Sequence, residues 1–432
     1  MLIVNQNIAK RSISIFRNLK LAPADPILSQ TISFNNDPKP LNYKINLGVG
    51  AYRDDNGNSY ILNSVKKAEE LIRNDSNLNN HEYLPILGTN NYIELVQNFL
   101  FKDEYSNKLL NENRILTGQS LSGTGSLRLI SELLKISNNV NKIVIPNPSW
   151  SNHKSIFIKS GIEKIDNYRY YNFKTQRLDL VGMLEDLNSL NPGDGVLLHV
   201  CCHNPTGVDP NNEEWDKILE IIERKQLIPI FDMAYQGFDK NLNDDLYIIE
   251  RTCELIFKNN KIKNMILCQS FAKTLGLYGE RIGSFSIITS NKEEKEILES
   301  QIKVIIRSMY SSPPCQGSKI VEMVLSNPEL YNEWELEVGI MRDRLKEMRM
   351  LLFNELKRLN CHGPGVNGPT GWEHLIEQNG MFCFTGILPD QVAALEKDSS
   401  IYMTSNGRIS IAGINSGNVG RLSRAIAGVF SV

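Results

Sequence analysis

Four apolar runs alternate with amphipathic helical patterns through the middle of the chain, and this alternation limits the folds open to it. The runs cover residues 142–145, 196–201, 227–231 and 265–268. Strands that are apolar on both faces must be covered on both faces, and helices between successive strands supply that cover. The pattern therefore predicts an α/β domain with a mainly parallel sheet.

The pattern changes after Gly317, which predicts a second domain. A helical apolar stripe runs from residue 338 to 359, and short strand patterns follow at 381–384 and 408–411. The length of 432 residues also favours more than one core. We interpret the tail as a smaller α+β domain that an early segment joins. The predicted division is an N-terminal arm at residues 1–26, a small domain at 27–60 and 341–432, and a large domain at 61–340.

The composition excludes several classes of partner. The net charge is only −2, so the chain has no strongly basic character for binding nucleic acid or an anionic membrane surface. No apolar run has the length that a bilayer requires. The seven cysteines include no CxxC spacing, so we expect neither a zinc site nor a disulfide framework. Their odd number fits reduced thiols in a cytosolic or organellar compartment.

The first residues carry a weak targeting signal. No acidic residue precedes Asp25, whereas Lys10, Arg11, Arg17 and Lys20 are basic, as in a mitochondrial presequence. The stretch lacks a regular amphipathic period, so we expect a cytoplasmic protein, with the mitochondrial matrix as the alternative. Several prolines predict an irregular, extended segment up to residue 44. They are Pro23, Pro26, Pro38 and Pro40.

Polar clusters follow each of the four predicted strands. Residues 147–153, 203–207 and 232–235 follow the first three, and Ser270, Lys273 and Arg281 follow the fourth. Carboxyl ends of strands in an open α/β sheet meet at one crevice, where ligands bind. A lysine there can act as an amine nucleophile, and an arginine can hold a phosphate. The Ser/Gly/Thr cluster at 119–126 opens a helix and offers a further anion site.

These groups match the chemical needs of pyridoxal phosphate. The cofactor requires a lysine that forms an imine and a carboxylate against its pyridine nitrogen. A phenol can contact the ring oxygen, and a helix N-terminus with an arginine can hold the phosphate. Taken singly, Trp150 is more typical of a core residue, Asp232 of a cap, and Arg307 and Arg408 of surface ion pairs. Their joint occurrence favours the functional interpretation.

The chain resembles the class I, fold-type I pyridoxal-phosphate-dependent aminotransferases, and within them the aspartate aminotransferases. The matching stretches, in the family's order, are LGVGAYRDD, EYLPILG, SLSGTGSLRL, NPSWSNHKSIF, HNPTGVDP, FDMAYQGF, QSFAKTLGLYGERIG, YSSPPCQG and NGRISIAG. The resemblance implies a large cofactor-binding domain with a mainly parallel seven-stranded sheet, and a smaller α+β domain. It also implies cis peptide bonds before Pro148 and Pro205.

The resemblance implies the roles of the residues around the cofactor. Lys273 is expected to hold pyridoxal 5'-phosphate as an aldimine and to move the proton. Asp232, with His153 behind it, is expected to pair with the pyridine nitrogen. The implied catalytic residues are Lys273, Asp232, Tyr235 and Trp150. The implied cofactor-binding residues are Ser122, Gly123, Thr124, Trp150, Asn204, Asp232, Tyr235, Ser270, Lys273, Arg281 and Tyr83.

The resemblance also implies the substrates and a shared active site. Arg408 is expected to bind the substrate α-carboxylate and Arg307 the distal carboxylate. Tyr83 and Arg307 are expected to come from the neighbouring subunit, which implies a homodimer. The implied substrate-binding residues are Gly50, Trp150, Asn204, Arg307 and Arg408. The expected reaction transfers the amino group of L-aspartate to 2-oxoglutarate and gives oxaloacetate and L-glutamate.

One departure from the family pattern leaves the specificity open. Ser312 stands where aspartate-specific members usually have asparagine, so a broader aromatic or kynurenine-type aminotransferase is the nearest alternative. A pyridoxal-phosphate lyase or decarboxylase on the same fold would not need a keto-acid acceptor. A non-catalytic protein that kept the fold would not need the intact Lys273.

Overall fold

The computed structural model describes residues 15–22 and 26–430. The strands are β1 (Ile45–Asn46), β2 (Ile115–Leu121), β3 (Ile143–Asn147), β4 (Ile165–Arg169), β5 (Tyr171–Asn172), β6 (Arg177–Leu178), β7 (Gly195–His199), β8 (Ile228–Met233), β9 (Met265–Ser270), β10 (Ile282–Ile288), β11 (Phe382–Phe384), β12 (Ile401–Tyr402) and β13 (Arg408–Ser410). The helices are α1 (Pro26–Asn36), α2 (Asn63–Asn74), α3 (Asn90–Leu100), α4 (Glu104–Asn111), α5 (Ser122–Ser137), α6 (Asn152–Lys159), α7 (Leu180–Asn188), α8 (Asn212–Lys225), α9 (Tyr247–Asn259), α10 (Lys292–Met309), α11 (Cys315–Ser326), α12 (Pro328–Arg358), α13 (His374–Glu377), α14 (Pro389–Ser399) and α15 (Val419–Phe430).

The central sheet has seven strands in the order β2-β10-β9-β8-β7-β3-β4. Strand β10 runs antiparallel to both of its neighbours, and the other pairs are parallel. Helices cover both faces and bury nearly every side chain of β7, β8 and β9. The predicted α/β class with a mainly parallel sheet is confirmed, and the four apolar runs correspond to β3, β7, β8 and β9.

Strands β2 and β10 were not evident as apolar runs because they carry polar residues that are buried. Thr117 of β2 and Ser286 of β10 are cross-strand partners, and their hydroxyl oxygens lie 2.9 Å apart. Such pairing satisfies the hydroxyl groups in the interior, so the strands need not be apolar. The edge strand β4 is half exposed and equally lacks an apolar run.

The tail forms the separate elements that the sequence predicted. Strand β1 pairs in parallel with β12, and β11 pairs antiparallel with β13. Helices α14 and α15 pack against each other, and α12 packs against α2 and α15. The predicted helical stripe at 338–359 lies in the 31-residue helix α12. The predicted boundary at residue 340 falls inside this helix, and the domain division stays a prediction.

The extended segment predicted up to residue 44 is wrong in part. Residues 26–36 form helix α1, which begins at Pro26. Proline fits the first helical position, where its missing N–H group is not needed. The following residues are fixed to the tail, since Tyr402 Oη donates to Asp37 Oδ2 at 2.6 Å. Of the predicted N-terminal arm, residues 1–14 and 23–25 lie outside the described residues.

The structure also describes the state of the cysteines and the apolar character of the helices. The seven cysteines are free thiols, and six of them are buried. Within residues 15–22 and 26–430, no helix combines the length and apolar character needed to cross a membrane.

Arg349 is a buried cation that ties α12 to the segment before β11. Its side chain is fully buried and donates hydrogen bonds to four backbone carbonyl groups. The acceptors are Leu375 O at 3.0 Å, Asn379 O at 3.1 Å, Gly380 O at 3.0 Å and Phe382 O at 2.6 Å. Since buried carbonyl groups need donors, this guanidinium group fixes the path of residues 375–382.

We predict that Arg349→Met lowers the free energy of unfolding by about 2–4 kcal/mol, because buried carbonyl oxygens lose their donors. The measurement is urea denaturation of the full-length protein. The control is Arg358→Met on the same helix, where the arginine is exposed and pairs with Glu355. The control should change stability little. Equal effects of the two substitutions would contradict the role of Arg349.

Candidate active site

The carboxyl ends of β7, β8 and β9 and the start of α5 surround a cavity of about 200 Å³. Twelve residues that the sequence singled out line it together. They are Gly50, Ser122, Gly123, Thr124, Trp150, Asn204, Asp232, Tyr235, Ser270, Lys273, Arg281 and Arg408. Ala234 and Phe382 complete the lining. The cavity lies where an open α/β sheet is expected to bind its ligand.

Lys273 lies three residues beyond the end of β9 and points into this cavity. Its Nζ atom lies 5.0 Å from the centre of the Tyr235 ring. Burial and the nearby Arg281 lower the pKa of Lys273 to about 8, while the Asp232 carboxylate opposes this shift. The neutral fraction near neutral pH is therefore larger than that of an exposed lysine. A neutral amine is the form that attacks a carbonyl carbon.

Asp232, at the end of β8, supplies a negative charge at the floor of the cavity. His153 Nε2 lies 3.0 Å from Asp232 Oδ2, and His153 Nδ1 lies 2.8 Å from Ser149 Oγ. Burial disfavours the charged form of Asp232, but the hydrogen bond from His153 and the charge of Lys273 outweigh burial and lower its pKa. The carboxylate is therefore ionised and suited to a cationic ring nitrogen.

His199 is a buried neighbour that sequence reasoning missed. It is the register partner of Asp232 on β7, and its ring meets the His153 ring edge-on, with centroids 5.2 Å apart. Burial and His153 lower the pKa of His199 to about 3, so this ring is neutral. A polar residue within an apolar run was its sequence signal. His153, His199 and Asp232 also form a potential metal-ligand group, although His153 and Asp232 already bind each other.

The start of α5 and the end of β9 form an anion cup, which we define as Ser122, Gly123, Thr124 and Ser270. Ser122 Oγ and Ser270 Oγ lie 2.8 Å apart. The first backbone N–H groups of a helix have no intrahelical acceptor and bind anions. Arg281 lines the cavity beside the cup and is held by donation from Nη1 to Tyr278 O at 3.0 Å. The cup and this arginine suit a phosphate group.

A second cation, Arg408, also lines the cavity. This buried side chain donates from Nη1 to Asn204 Oδ1 and from Nη2 to Gly48 O, both at 3.3 Å. Its guanidinium carbon lies 4.3 Å from the centre of the Phe382 ring. Phe382 was missed because it reads as an ordinary core residue of β11. These contacts hold an arginine fork that suits a carboxylate.

The two peptide bonds predicted to be cis and the position of Trp150 can also be compared with the structure. The bonds Asn147–Pro148 and Asn204–Pro205 are cis, as predicted. Trp150 lines the cavity and meets the His153 ring edge-on at 5.1 Å between centroids.

Two predicted site residues do not join the cavity. Tyr83 is 89% exposed and Arg307 is exposed near the end of α10. The Arg307 guanidinium donates to Ser311 Oγ on its own chain. Ser312 is partly buried in the turn that follows α10. Neither Tyr83 nor Arg307 is among the residues lining the cavity of this single chain.

The residues present fit pyridoxal phosphate on their chemistry. Lys273 offers a partly neutral amine, and Asp232 offers an ionised carboxylate. The anion cup and Arg281 suit the phosphate, and Tyr235 offers a phenol. Burial raises the pKa of Tyr235, which keeps the phenol protonated and able to donate a hydrogen bond. The set supplies each group that the cofactor requires.

Comparisons with known proteins agree with this geometry. The chain is 43% identical to aspartate aminotransferase 1 of Medicago sativa over 416 residues, covering 96% of this chain and 95% of that one. It is 42% identical to the mitochondrial aspartate aminotransferase of Gallus gallus over 421 residues, covering 96% of this chain and 94% of that one.

Solved structures extend the comparison to the fold. The aspartate aminotransferase from the cytoplasm of Saccharomyces cerevisiae matches with a TM-score of 0.91 and 38% identity, over 97% of this chain and 99% of that one. An aromatic-amino-acid aminotransferase from Burkholderia pseudomallei, covalently bound to pyridoxal phosphate, matches with a TM-score of 0.89 and 38% identity, over 97% of this chain and 100% of that one. The family model described as Aminotransferase class I and II matches residues 42–426. The chain therefore belongs to the class I and II aminotransferases.

Proposed function

We propose that this protein is a pyridoxal-phosphate-dependent aminotransferase that moves the amino group of L-aspartate to 2-oxoglutarate and gives oxaloacetate and L-glutamate. The observation that carries the proposal is the single cavity in which Lys273 faces Asp232, the anion cup and Arg408. The relatives with 42–44% identity over nearly the whole chain are named aspartate aminotransferases.

The position of each residue in the cavity determines the chemical role that we propose for it. When bound, the cofactor supplies an electron sink for the carbanion character at the substrate α-carbon. Asp232 keeps the positive charge of the ring nitrogen, and Tyr235 donates to the ring oxygen. Lys273 moves the proton at the α-carbon as a general base and acid, which its pKa of about 8 suits. Trp150, which lines the cavity, would help to hold the ring.

Substrate orientation rests on Arg408 and its supports. Arg408 binds the α-carboxylate as a planar fork, and Asn204 and Phe382 hold the guanidinium group in place. Gly50 lines the same side of the cavity and leaves room for the substrate. This arrangement fixes the α-carbon near Lys273 before proton transfer.

We further propose a homodimer with shared active sites. Tyr83 and Arg307 carry side chains suited to a phosphate and a carboxylate, yet they are exposed and lie outside the cavity of their own chain. A neighbouring subunit that placed them in its partner's cavity would supply the group for the distal carboxylate. This assignment accounts for a dicarboxylic substrate with one arginine for each carboxylate.

A broader aromatic specificity is the second candidate. Ser312 is a small residue in the turn after α10, near the predicted distal-carboxylate group Arg307. A small side chain there leaves more space in the pocket. Solved neighbours also include proteins named aromatic-amino-acid aminotransferases, at 32–38% identity.

For the compartment, we propose the cytoplasm, with the mitochondrial matrix as the alternative. Relatives named for each compartment match at 42% identity. Microscopy of a C-terminal fluorescent fusion distinguishes the two.

Lys273→Ala is expected to lower turnover of aspartate with 2-oxoglutarate by at least about a thousandfold, because the proton carrier is lost. Binding of pyridoxal phosphate should persist through the anion cup. Turnover and the cofactor spectrum are the measurements. Lys154→Ala, on the exposed part of α6, is the control and should keep normal activity. Near-normal turnover in Lys273→Ala would overturn the proposal.

The pH dependence of cofactor loading follows from the pKa of Lys273. The rate at which Lys273 of the cofactor-free protein reacts with added pyridoxal phosphate should rise with pH and reach half its maximum near pH 8, because only the neutral amine reacts. Asp232 raises this pKa, so Asp232→Asn should move the midpoint to lower pH. Stopped-flow absorbance gives both midpoints. A midpoint above that of free lysine would contradict the assignment.

Arg307→Ala is expected to lower kcat/KM for aspartate about a hundredfold more than for phenylalanine, because only aspartate has a distal carboxylate to lose its charged partner. The comparison variant is Arg408→Ala, which should reduce both values to a similar extent because both substrates carry an α-carboxylate. Steady-state kinetics with the two amino acids provide the test. Equal losses for the two substrates in Arg307→Ala would refute the distal-carboxylate assignment.

A further inference from the structure

We propose that Ser126, one turn inside α5, is a positioning residue that holds the anion cup in the shape that binds the phosphate of the cofactor. This inference rests on the proposed function, which places the phosphate at the cup. Ser126 is completely buried and is not among the residues lining the cavity. Its effect on the ligand must therefore pass through the residues that it contacts.

The cup contains a backbone conformation that needs support. Ser122 has φ of +62°, in the left-handed region, although it carries a side chain. Such a conformation is unfavourable for a residue with a side chain and persists only when its surroundings hold it. It turns the chain sharply between the end of β2 and the first turn of α5, where the N–H groups for an anion lie.

A chain of buried hydroxyl groups lies behind this turn. Ser120 Oγ and Ser126 Oγ lie 2.5 Å apart, and Ser126 Oγ donates to Ser284 O at 2.8 Å. A hydroxyl group has one proton, so with Ser126 donating to Ser284, Ser120 donates to Ser126. Both hydroxyl oxygens also lie 3.2 Å from Ser122 O. The chain thereby links β2, α5 and β10 around the strained residue.

Strand β10 provides a rigid floor for this linkage. A Cβ atom on Gly283 would lie 2.9 Å from Ser122 Cα and 2.3 Å from Gln269 O, so β10 passes directly beneath the turn. Tyr92 Oη donates to Gly283 O at 2.8 Å and fixes the same point from the other side. Through Ser126, the first turn of α5 is therefore tied to a fixed strand.

Removing the Ser126 hydroxyl should make the anion cup less rigid. It should leave unchanged the residues that we propose contact the cofactor ring. Asp232 and Lys273 belong to β8 and to the loop after β9, and His153 belongs to α6. None of these side chains takes part in the hydroxyl chain. The variant should therefore lose affinity for the phosphate of the cofactor without losing affinity for its ring.

The test compares pyridoxal phosphate with pyridoxal, which has the same ring and aldehyde but no phosphate. Full-length protein is freed of cofactor, and equilibrium binding of each compound is followed by absorbance. Ser126→Ala is expected to weaken binding of pyridoxal phosphate about fivefold, as for loss of one buried hydrogen bond. Binding of pyridoxal should be unchanged. Ser120→Ala removes the other end of the chain and should give the same pattern, which keeps the test open if Ser126→Ala folds poorly.

Ser131→Ala is the matched control. Ser131 lies on the same helix, is equally buried, and donates only to Leu127 O at 2.7 Å, within α5. It should leave both affinities unchanged. Unaltered binding of pyridoxal phosphate in Ser126→Ala, an equal loss for pyridoxal, or an equal loss in Ser131→Ala would each overturn the inference. Wild-type protein that bound both compounds equally would instead overturn the phosphate assignment on which the inference rests.

Discussion

The site depends on the hydrogen bond between His153 and the buried, ionised carboxylate of Asp232. Burial alone would raise the pKa of Asp232, and the hydrogen bond from His153 and the nearby positive charge lower it. His153 is in turn held by Ser149 and meets the neutral ring of His199. The same negative charge limits how far the pKa of Lys273 falls. The hydrogen bonds that join Ser149, His153 and Asp232 thus help to set the charge of Asp232 and, through it, the pKa of Lys273.

The sheet order explains how these groups meet. Strands β8 and β9 are neighbours, so Asp232 and the loop carrying Lys273 arrive side by side. The antiparallel β10 lies between β9 and β2 and brings the start of α5 next to Ser270. The Asp232 and Lys273 side of the site is therefore built on parallel strands, and the anion cup, where we propose that the phosphate binds, is built around the one antiparallel strand of the central sheet.

The sequence alone predicted the elements whose structure depends mainly on residues close together in the chain. The runs that became β3, β7, β8 and β9 are apolar because both faces are covered, and their polar ends mark the cavity. Strand β10 was missed because its buried serines are satisfied by side chains of the neighbouring strands, Thr117 of β2 and Gln269 of β9, which no single stretch of sequence reveals. Helix α1 was missed because the prolines at its start and on either side of it favoured an irregular segment. His199 and Phe382 acquire their places only from strand register and domain packing. The positions of Tyr83 and Arg307 relative to a partner require a second chain.

Helix α12 also has a mechanical consequence. Its 31 residues span about 46 Å at the usual rise of an α-helix. Arg349 donates a hydrogen bond to the backbone carbonyl of Phe382, and the Phe382 ring lies against Arg408. Arg349 lies 21 residues from the start of the helix, about 32 Å along the axis, so a tilt of about 2° about that start would move it by about 1 Å. A small rotation of α12 would therefore shift Phe382, whose ring lies against Arg408, the residue proposed to bind the substrate carboxylate.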